Sequence, residues 1–174
     1  DNLPEAIAAV GEGETIRLLA DINFEKSVNI YSALPVSGKK FTLNFDGHRL
    51  SIVNPEGMGI DLSNKTQLEI TGGGELKVNA KLAALYLRGS QFTSDNTINV
   101  LLESSRNAAV SAESSATVNI LKGEAKGGIY ATSNNTITLG GAVIVDPGEI
   151  GSGSGVYFSG TGNTVSVAAI DIRS

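Results

Sequence analysis

Residues Gly128 to Leu139 read GIYATSNNTITL, and this stretch decides the fold. It divides into a short strand Gly-Ile-Tyr-Ala, a polar turn Thr-Ser-Asn-Asn and a second strand Thr-Ile-Thr-Leu. Each strand alternates apolar and polar side chains with the period of two that a half-buried strand requires. The unit recurs. Gly155 to Val167 gives GVYF, SGTGN and TVSV; Ala109 to Ile120 gives AVSA, ESSA and TVNI; Ala84 to Val100 gives ALYL, a longer turn and TINV; Gly59 to Ile70 gives GIDL, SNKT and QLEI. The second strands begin at Gln67, Thr97, Thr117, Thr136 and Thr164, separations of 30, 20, 19 and 28 residues, so the core unit is near 20 with insertions.

A period near 20 built from short strands is what one coil of a parallel β-helix needs; a propeller blade takes about 40 residues and a helical-pair repeat about 34. The alternation assigns faces. Ile60 and Leu62, Leu85 and Leu87, Val110 and Ala112, Ile129 and Ala131, and Val156 and Phe158 point inward on the first strand of each unit. On the second strand the inward residues are Leu68 and Ile70, Ile98 and Val100, Val118 and Ile120, Ile137 and Leu139, and Val165 and Val167. Ile16/Leu18 and Leu43/Phe45 read as leading coils. Parallel strands joined by crossovers are right-handed in about 98% of cases, so the expected hand is right. Leu3, Ile7 and Val10, with Pro4 in the first turn, Asn2 as N-cap and Gly11 as a stop, predict one short helix that covers the first coil. The fold class is therefore all-β, a right-handed parallel β-helix with a short N-terminal capping α-helix. It forms one domain over 1–174, a helical cap in 1–13 and stacked coils in 14–174. No cap is recognisable after Val165 to Ile172, which leaves end-to-end self-association open.

Composition excludes several classes of function. With 13 Lys+Arg against 18 Asp+Glu the net charge is -5, and no basic cluster exists to release counterions from a phosphate backbone, so nucleic acid is not an expected partner. No apolar run approaches the ~20 residues of a membrane span. Zero Cys removes disulfides, thiol nucleophiles and zinc-thiolate sites. A chain that opens on Asp1 without Met is read as a processed form or a piece of a larger protein.

The opening LPEAIAAVGEGETIRLLADI, a short helix, a Gly/Glu turn and an apolar strand, together with FDGHRLSIV, resembles the leading coils of the pectin-lyase-like parallel β-helix superfamily, particularly repeat regions of bacterial surface and secreted proteins. That resemblance implies an extracellular or cell-surface location and a glycan-related or adhesive role. Such folds host many functions, so the site has to be argued from residues. The paired Asp-Asp and Asn-Thr-Asp signatures of the polygalacturonate hydrolases are missing, and no Arg-x-Lys follows.

The outward position of the first strand carries Asp61, Tyr86, Ser111, Tyr130 and Tyr157, a ladder with three of the four Tyr residues. Flat amphipathic rings suit stacking on sugar faces or on a protein surface, so Tyr86, Tyr130 and Tyr157 with Asp61 are the candidate ligand-binding residues. Equally, stacked Tyr residues stabilise neighbouring coils or lie under an insertion loop such as Gly140 to Gly155. A second outward column reads Thr42-x-Asn44, Gln67-x-Glu69, Thr97-x-Asn99, Thr117-x-Asn119, Thr136-x-Thr138 and Thr164-x-Ser166, which brings ice-binding solenoids to mind, although β-propensity accounts for it more simply. Asn64, Asn135 and Asn163, with Asn96, recur just before the second strand as structural turn residues. His48, with Asp46 as its orienting partner, is the one candidate general base and reads better as a turn residue. Asp146-Pro147-Gly148-Glu149 is a weak Ca2+ signal. No catalytic residue, metal ligand or cofactor motif is assigned. The expected function is a non-catalytic extracellular module serving adhesion, glycan recognition or as a spacer, binding polysaccharide or a host or cell-surface protein. The alternatives are a polysaccharide lyase or glycoside hydrolase and, more remotely, an ice-binding solenoid.

Overall fold

The computed structural model describes residues 3–25, 31–146, 155–168 and 170–172. Helix α1 (Leu3–Ala9) is followed by strands that wind in rungs of three. The first rung is β1 (Glu14–Arg17), β2 (Ile22–Glu25) and β3 (Ser32–Ser37); the second is β4 (Lys40–Asn44), β5 (Arg49–Asn54) and β6 (Met58–Ser63). The third is β7 (Gln67–Thr71), β8 (Gly74–Ala80) and β9 (Leu85–Arg88); the fourth is β10 (Gln91–Ser94), β11 (Ile98–Ser104) and β12 (Val110–Glu113). In the fifth, β13 (Thr117–Lys126) runs along two sides before β14 (Ile129–Ala131). In the sixth, β15 (Thr136–Asp146) does the same before β16 (Val156–Phe158), and β17 (Thr164–Val167) and β18 (Ile170–Ile172) begin the next.

Every pairing is parallel, and the pairings define three sides. The first side stacks β1, β4, β7, β10, β13, β15 and β17; the second stacks β2, β5, β8, β11, β13, β15 and β18; the third is the separate six-stranded sheet β3, β6, β9, β12, β14 and β16. The chain is a β-solenoid. Its core is a set of columns in exact register. On the third side Leu34, Ile60, Leu85, Val110, Ile129 and Val156 stack above one another. On the first side Phe41, Leu68, Phe92, Val118, Ile137 and Val165 do so. All but Val156 and Val165 of these are buried, and each such side chain contributes about 1.5–3 kcal/mol on leaving water.

Three expectations need correction. The strand TINV does not follow QLEI on the first side: Gln67 pairs with Gln91, and Gln91 with Thr117. Ile98 and Val100 instead face Gly74 and Leu76 on the second side. Coils on the first side are thus spaced 24, 26, 19 and 28 residues from Gln67 to Thr164, and the unit near 20 is the short coil rather than the norm. The proposed insertion loop Gly140 to Gly155 is strand as far as Asp146; 147–154 lie outside the described residues. In the last described rung Val156 and Phe158, and Val165 and Val167, keep the inward register, yet Phe158, Val165 and Val167 are 37%, 38% and 37% exposed.

The 19-residue coil is short because β13 turns the corner from first to second side without a loop. The register slips beside Leu121, where Gly140 and Gly141 of β15 oppose one residue, a β-bulge on β15; at the bend of β13 the Leu121 N–H donates to the buried Ser94 hydroxyl at 3.2 Å. Gly123 completes the bend with φ of 142°, and a Cβ there would lie 1.9 Å from the Val100 carbonyl oxygen. Earlier coils turn the same corner through capped loops. Asp95, for example, accepts from the Thr97 and Ile98 N–H groups at 2.7 and 3.2 Å. Burial works against its charge, but these bonds and those from the Thr97 hydroxyl and Gly72 N–H outweigh it and hold its carboxyl below the usual range.

The turn from third to first side is closed by an internal asparagine ladder. Asn135 is fully buried; its Oδ1 accepts from Ala116 N–H at 2.9 Å and its Nδ2 donates to Asn163 Oδ1 at 3.1 Å. Asn64 and Asn96 do not belong to it. Thr66 occupies the equivalent place, its hydroxyl bonded to the Val36 and Ser63 carbonyls, while Asn64 sits two residues earlier in a left-handed conformation, and Asn96 lies in the turn from first to second side. At the N-terminal end, α1 buries Leu3 and Ile7 on the first coil with Val10 packed beside them; Asn2 lies outside the described residues. Lys39 Nζ donates to the Ala8 and Val10 carbonyls at 2.7 and 3.1 Å, satisfying acceptors that a helix end leaves free.

Gly123→Ala should cost at least about 2 kcal/mol in denaturant unfolding, since it combines a φ that L side chains avoid with a collision against backbone. Gly47→Ala, with φ of 81° and no neighbour within 4 Å of the new methyl, should cost only about 1 kcal/mol. Equal losses would show that the close approach at Gly123 does not matter.

Candidate functional site: a tyrosine-lined groove

The outward column of the third side runs Pro35, Asp61, Tyr86, Ser111, Tyr130 and Tyr157 in unbroken register. Strand alternation puts these side chains on the solvent face, and parallel stacking sets them about 4.8 Å apart along the solenoid axis. Tyr130 and Tyr157 stack with ring centroids 5.8 Å apart and planes 13° from parallel. The Tyr130 hydroxyl shares a 2.9 Å hydrogen bond with Ser159 Oγ. Tyr86 reaches across to the next rung and donates to Glu113 Oε2 at 2.9 Å, while the Arg88 guanidinium sits 5.7 Å from its ring centre. Burial, then the hydrogen bond and negative charge of Glu113, push the Tyr86 phenol up to about 12.

Ser111, the small residue between the two aromatic groups, leaves a depression. It forms the floor of a groove of about 480 Å³ that Tyr86, Tyr130 and Tyr157 line together with Glu113, Asn107 and Arg106. The fourth tyrosine, Tyr31, also lines it and is 69% exposed. Sequence reasoning missed Tyr31 because it precedes β3, whose sequence SALPVS hides a strand behind Pro35; proline is tolerated there because β3 is the edge of its sheet.

The walls come from loops at the corner between second and third sides. Buried Ser104 ties two of them together. Its hydroxyl donates to the Lys81 and Leu82 carbonyls at 3.2 and 2.9 Å and accepts from Asn107 N–H at 3.1 Å. Two rungs earlier in the same register column, Asn54 holds its own loop, donating to the Met58 carbonyl and accepting from Gly57 N–H at 2.7 and 3.0 Å. Nothing in periodicity marks Ser104, because its role is visible only once the corner is folded.

The remaining candidates separate from the groove. Asp61 shares the column but is not part of the lining; its Oδ2 accepts from Ser32 Oγ at 3.0 Å and its buried Oδ1 has no partner among the described residues, an unmet acceptor of the kind that costs about 1–3 kcal/mol. His48 pairs with Asp21 on the preceding coil, Nδ1 to Oδ1 3.4 Å, and not with Asp46, which binds Arg17. The Arg49 N–H bond, above all, and the His48 contact hold the Asp21 carboxyl below its ordinary range. The threonine face is also rearranged. Thr42 stands opposite Glu69 rather than Gln67, and the column reads Thr15, Thr42, Glu69, Thr93, Asn119, Thr138 and Ser166. The Ca2+ signal falls at the end of β15, with Pro147, Gly148 and Glu149 outside the described residues; among the described residues no three carboxylate or imidazole groups converge on a metal position.

In a spectrophotometric titration the Tyr86 phenol should ionise near pH 12, and Glu113→Gln should bring it down toward the ordinary value of 10. The raised folded-state value means that the contribution of Tyr86 to stability is whole below pH 10 and is lost as pH rises from about 10 through about 12. An unchanged Tyr86 transition in Glu113→Gln would show that the hydrogen bond does not set it.

No family model, curated protein or solved structure matches the chain, so the three-sided solenoid and its groove stand on their geometry.

Proposed function

We propose that this chain is a non-catalytic recognition module of an extracellular or bacterial surface protein, and that the tyrosine groove takes a linear glycan laid along the solenoid axis. The observation that carries the reading is that all four Tyr residues of the chain line one groove. From Tyr31 before the first third-side strand to Tyr157 on the sixth, the column advances five inter-strand steps, about 24 Å, which suits an extended chain better than a compact ligand. Aromatic rings supply apolar contact to sugar faces, and the Tyr hydroxyls, Asn107 and Glu113 supply hydrogen-bonding groups beside them. The resemblance of the opening coils to the pectin-lyase-like superfamily agrees with a glycan-related role.

Recognition fits the groove better than cleavage. Glycoside hydrolysis by the usual route needs two carboxyl groups about 5–9.5 Å apart. Glu113 is the carboxylate in the lining, and it is engaged by Tyr86. An ice-binding role has less behind it: Glu69 interrupts the threonine column.

A glycan array followed by titration of each hit should show affinity that rises with oligosaccharide length. Tyr130→Ala should weaken binding about ten-fold, the equivalent of about 1.4 kcal/mol and within the range of one aromatic contact, with an unchanged circular dichroism spectrum and no release of reducing or unsaturated ends. Glycan binding that survives Tyr86→Ala, Tyr130→Ala and Tyr157→Ala together would remove the groove from the account, and turnover of any hit would replace recognition with catalysis.

A further inference from the structure

Two of the groove's tyrosines are anchored in one pattern. The Tyr86 hydroxyl donates to Glu113, which stands two residues past Ser111, the partner of Tyr86 on the next rung. The Tyr130 hydroxyl is bonded to Ser159, two residues past its own next-rung partner, Tyr157. The two rings are therefore set alike and lie two rungs apart, about 9.6 Å along the axis. On the rung after Tyr130 the column is filled. Tyr157 stacks there with centroids 5.8 Å apart and planes 13° from parallel, so the ring faces look along the axis. On the rung after Tyr86 the column holds only Ser111. The result is a slot one ring thick, whose middle lies about 4.8 Å from Tyr86 and from Tyr130, within the range of aromatic contact. Its edges are polar: Arg106 and Asn107 line the groove from the turn before β12, and Glu113 from the end of that strand.

From this slot we infer the substrate class of the groove, an inference that rests on the glycan reading above. The bound chain is branched, and one β-linked, all-equatorial pyranose branch of gluco or xylo configuration is sandwiched between Tyr86 and Tyr130 over Ser111. Such a ring carries C–H bonds on both faces and hydroxyls at its rim, which matches a slot with apolar walls and polar edges. An axial hydroxyl, as in a galacto- or manno-configured ring, would press against one tyrosine without a partner, and a polar group held unpaired out of water is costly. A ring in the slot lies across the axis. A backbone unit, bonded at both ends of its ring, would carry the chain across the groove, whereas a ring held by one bond lets the backbone continue along it. The lining extends past the slot in both directions, to Tyr31 and to Tyr157, so the unit that bears the branch is internal to the chain.

Calorimetric titration with an unbranched 1,3-linked β-glucan hexasaccharide, and with the same backbone carrying one 1,6-linked β-glucosyl branch, tests the slot. The branched chain should bind at least about ten-fold tighter, within reach of two added ring contacts. Ser111→Tyr, which supplies the missing ring from the protein itself, should make the two affinities equal. Thermal unfolding checks that this variant folds; should it fail, Ser111→Leu fills the slot in its place. In saturation-transfer NMR, methyl β-glucoside should receive magnetisation that methyl β-galactoside, with its axial hydroxyl, does not. Equal binding of the two chains, a preference that survives in a folded Ser111 variant, or equal transfer to the two glycosides would overturn the branch assignment and leave the groove as a glycan site. Failure of both chains to bind, beside array hits that depend on the tyrosines, would do the same. An array without tyrosine-dependent hits would overturn both readings.

Discussion

Everything in this molecule depends on the parallel hydrogen-bond ladder between successive coils. A parallel pair fixes both the spacing and the in/out phase of its strands, and a slip of one residue would turn an entire inner column out to solvent. Once Ile60 stands on Leu85 and Leu85 on Val110, the outward neighbours have no freedom either. Asp61, Tyr86 and Ser111 must follow one another along the surface. The groove is thus a by-product of core register, and its spacing is set by backbone geometry rather than by contacts among the tyrosines.

The third and first sides were legible because GIYA, GVYF, TITL and TVSV alternate cleanly between apolar and polar. The tyrosine column could therefore be assigned rung by rung from the sequence. The second side was not. Its strands carry aliphatic residues on the outward face, as at Leu101 and Ile144, which stand opposite Lys77 and Glu124 and blur the period of two. In β13 and β15 the second side continues the first without a turn, so no punctuation announces it. TINV was misplaced for a related reason. Thr-Ile-Asn-Val and Thr-Val-Asn-Ile have the same alternation, and only the short turn Gly89-Ser90, matching Gly38-Lys39 two coils earlier, marks Gln91 as the start of a first-side strand. Composition could not separate the two sides; turn length could.

The corners show what holds the coils in phase. Where a loop is present, a side chain closes it: Asp95 between the first and second sides, Ser104 between the second and third, Asn135 between the third and first. Where the loop is missing in β13, the Leu121 bond to Ser94 and Gly123 replace it. Asn135 and Ser104 are buried and fully engaged, so each removes the cost of an unpaired turn backbone at a point where water cannot reach. A buried polar residue at a corner is therefore a positional marker in this chain, as informative as the aliphatic columns.

The same corner logic explains why the groove lies on the third side. Along the first side the outward groups carry no aromatic ring, being threonine, asparagine and glutamine with Arg17, Lys40 and Glu69 among them, and from the fifth rung the strand runs straight on into the second side, leaving no loop to build a wall. The corner before the third side carries a loop in each of the third and fourth rungs, and Ser104 binds those two loops to each other. Large rings on the flat face and ordered loops beside them are both needed to enclose about 480 Å³. Rigid strands position the tyrosines, and the loops, free of register, are where a different specificity would be written.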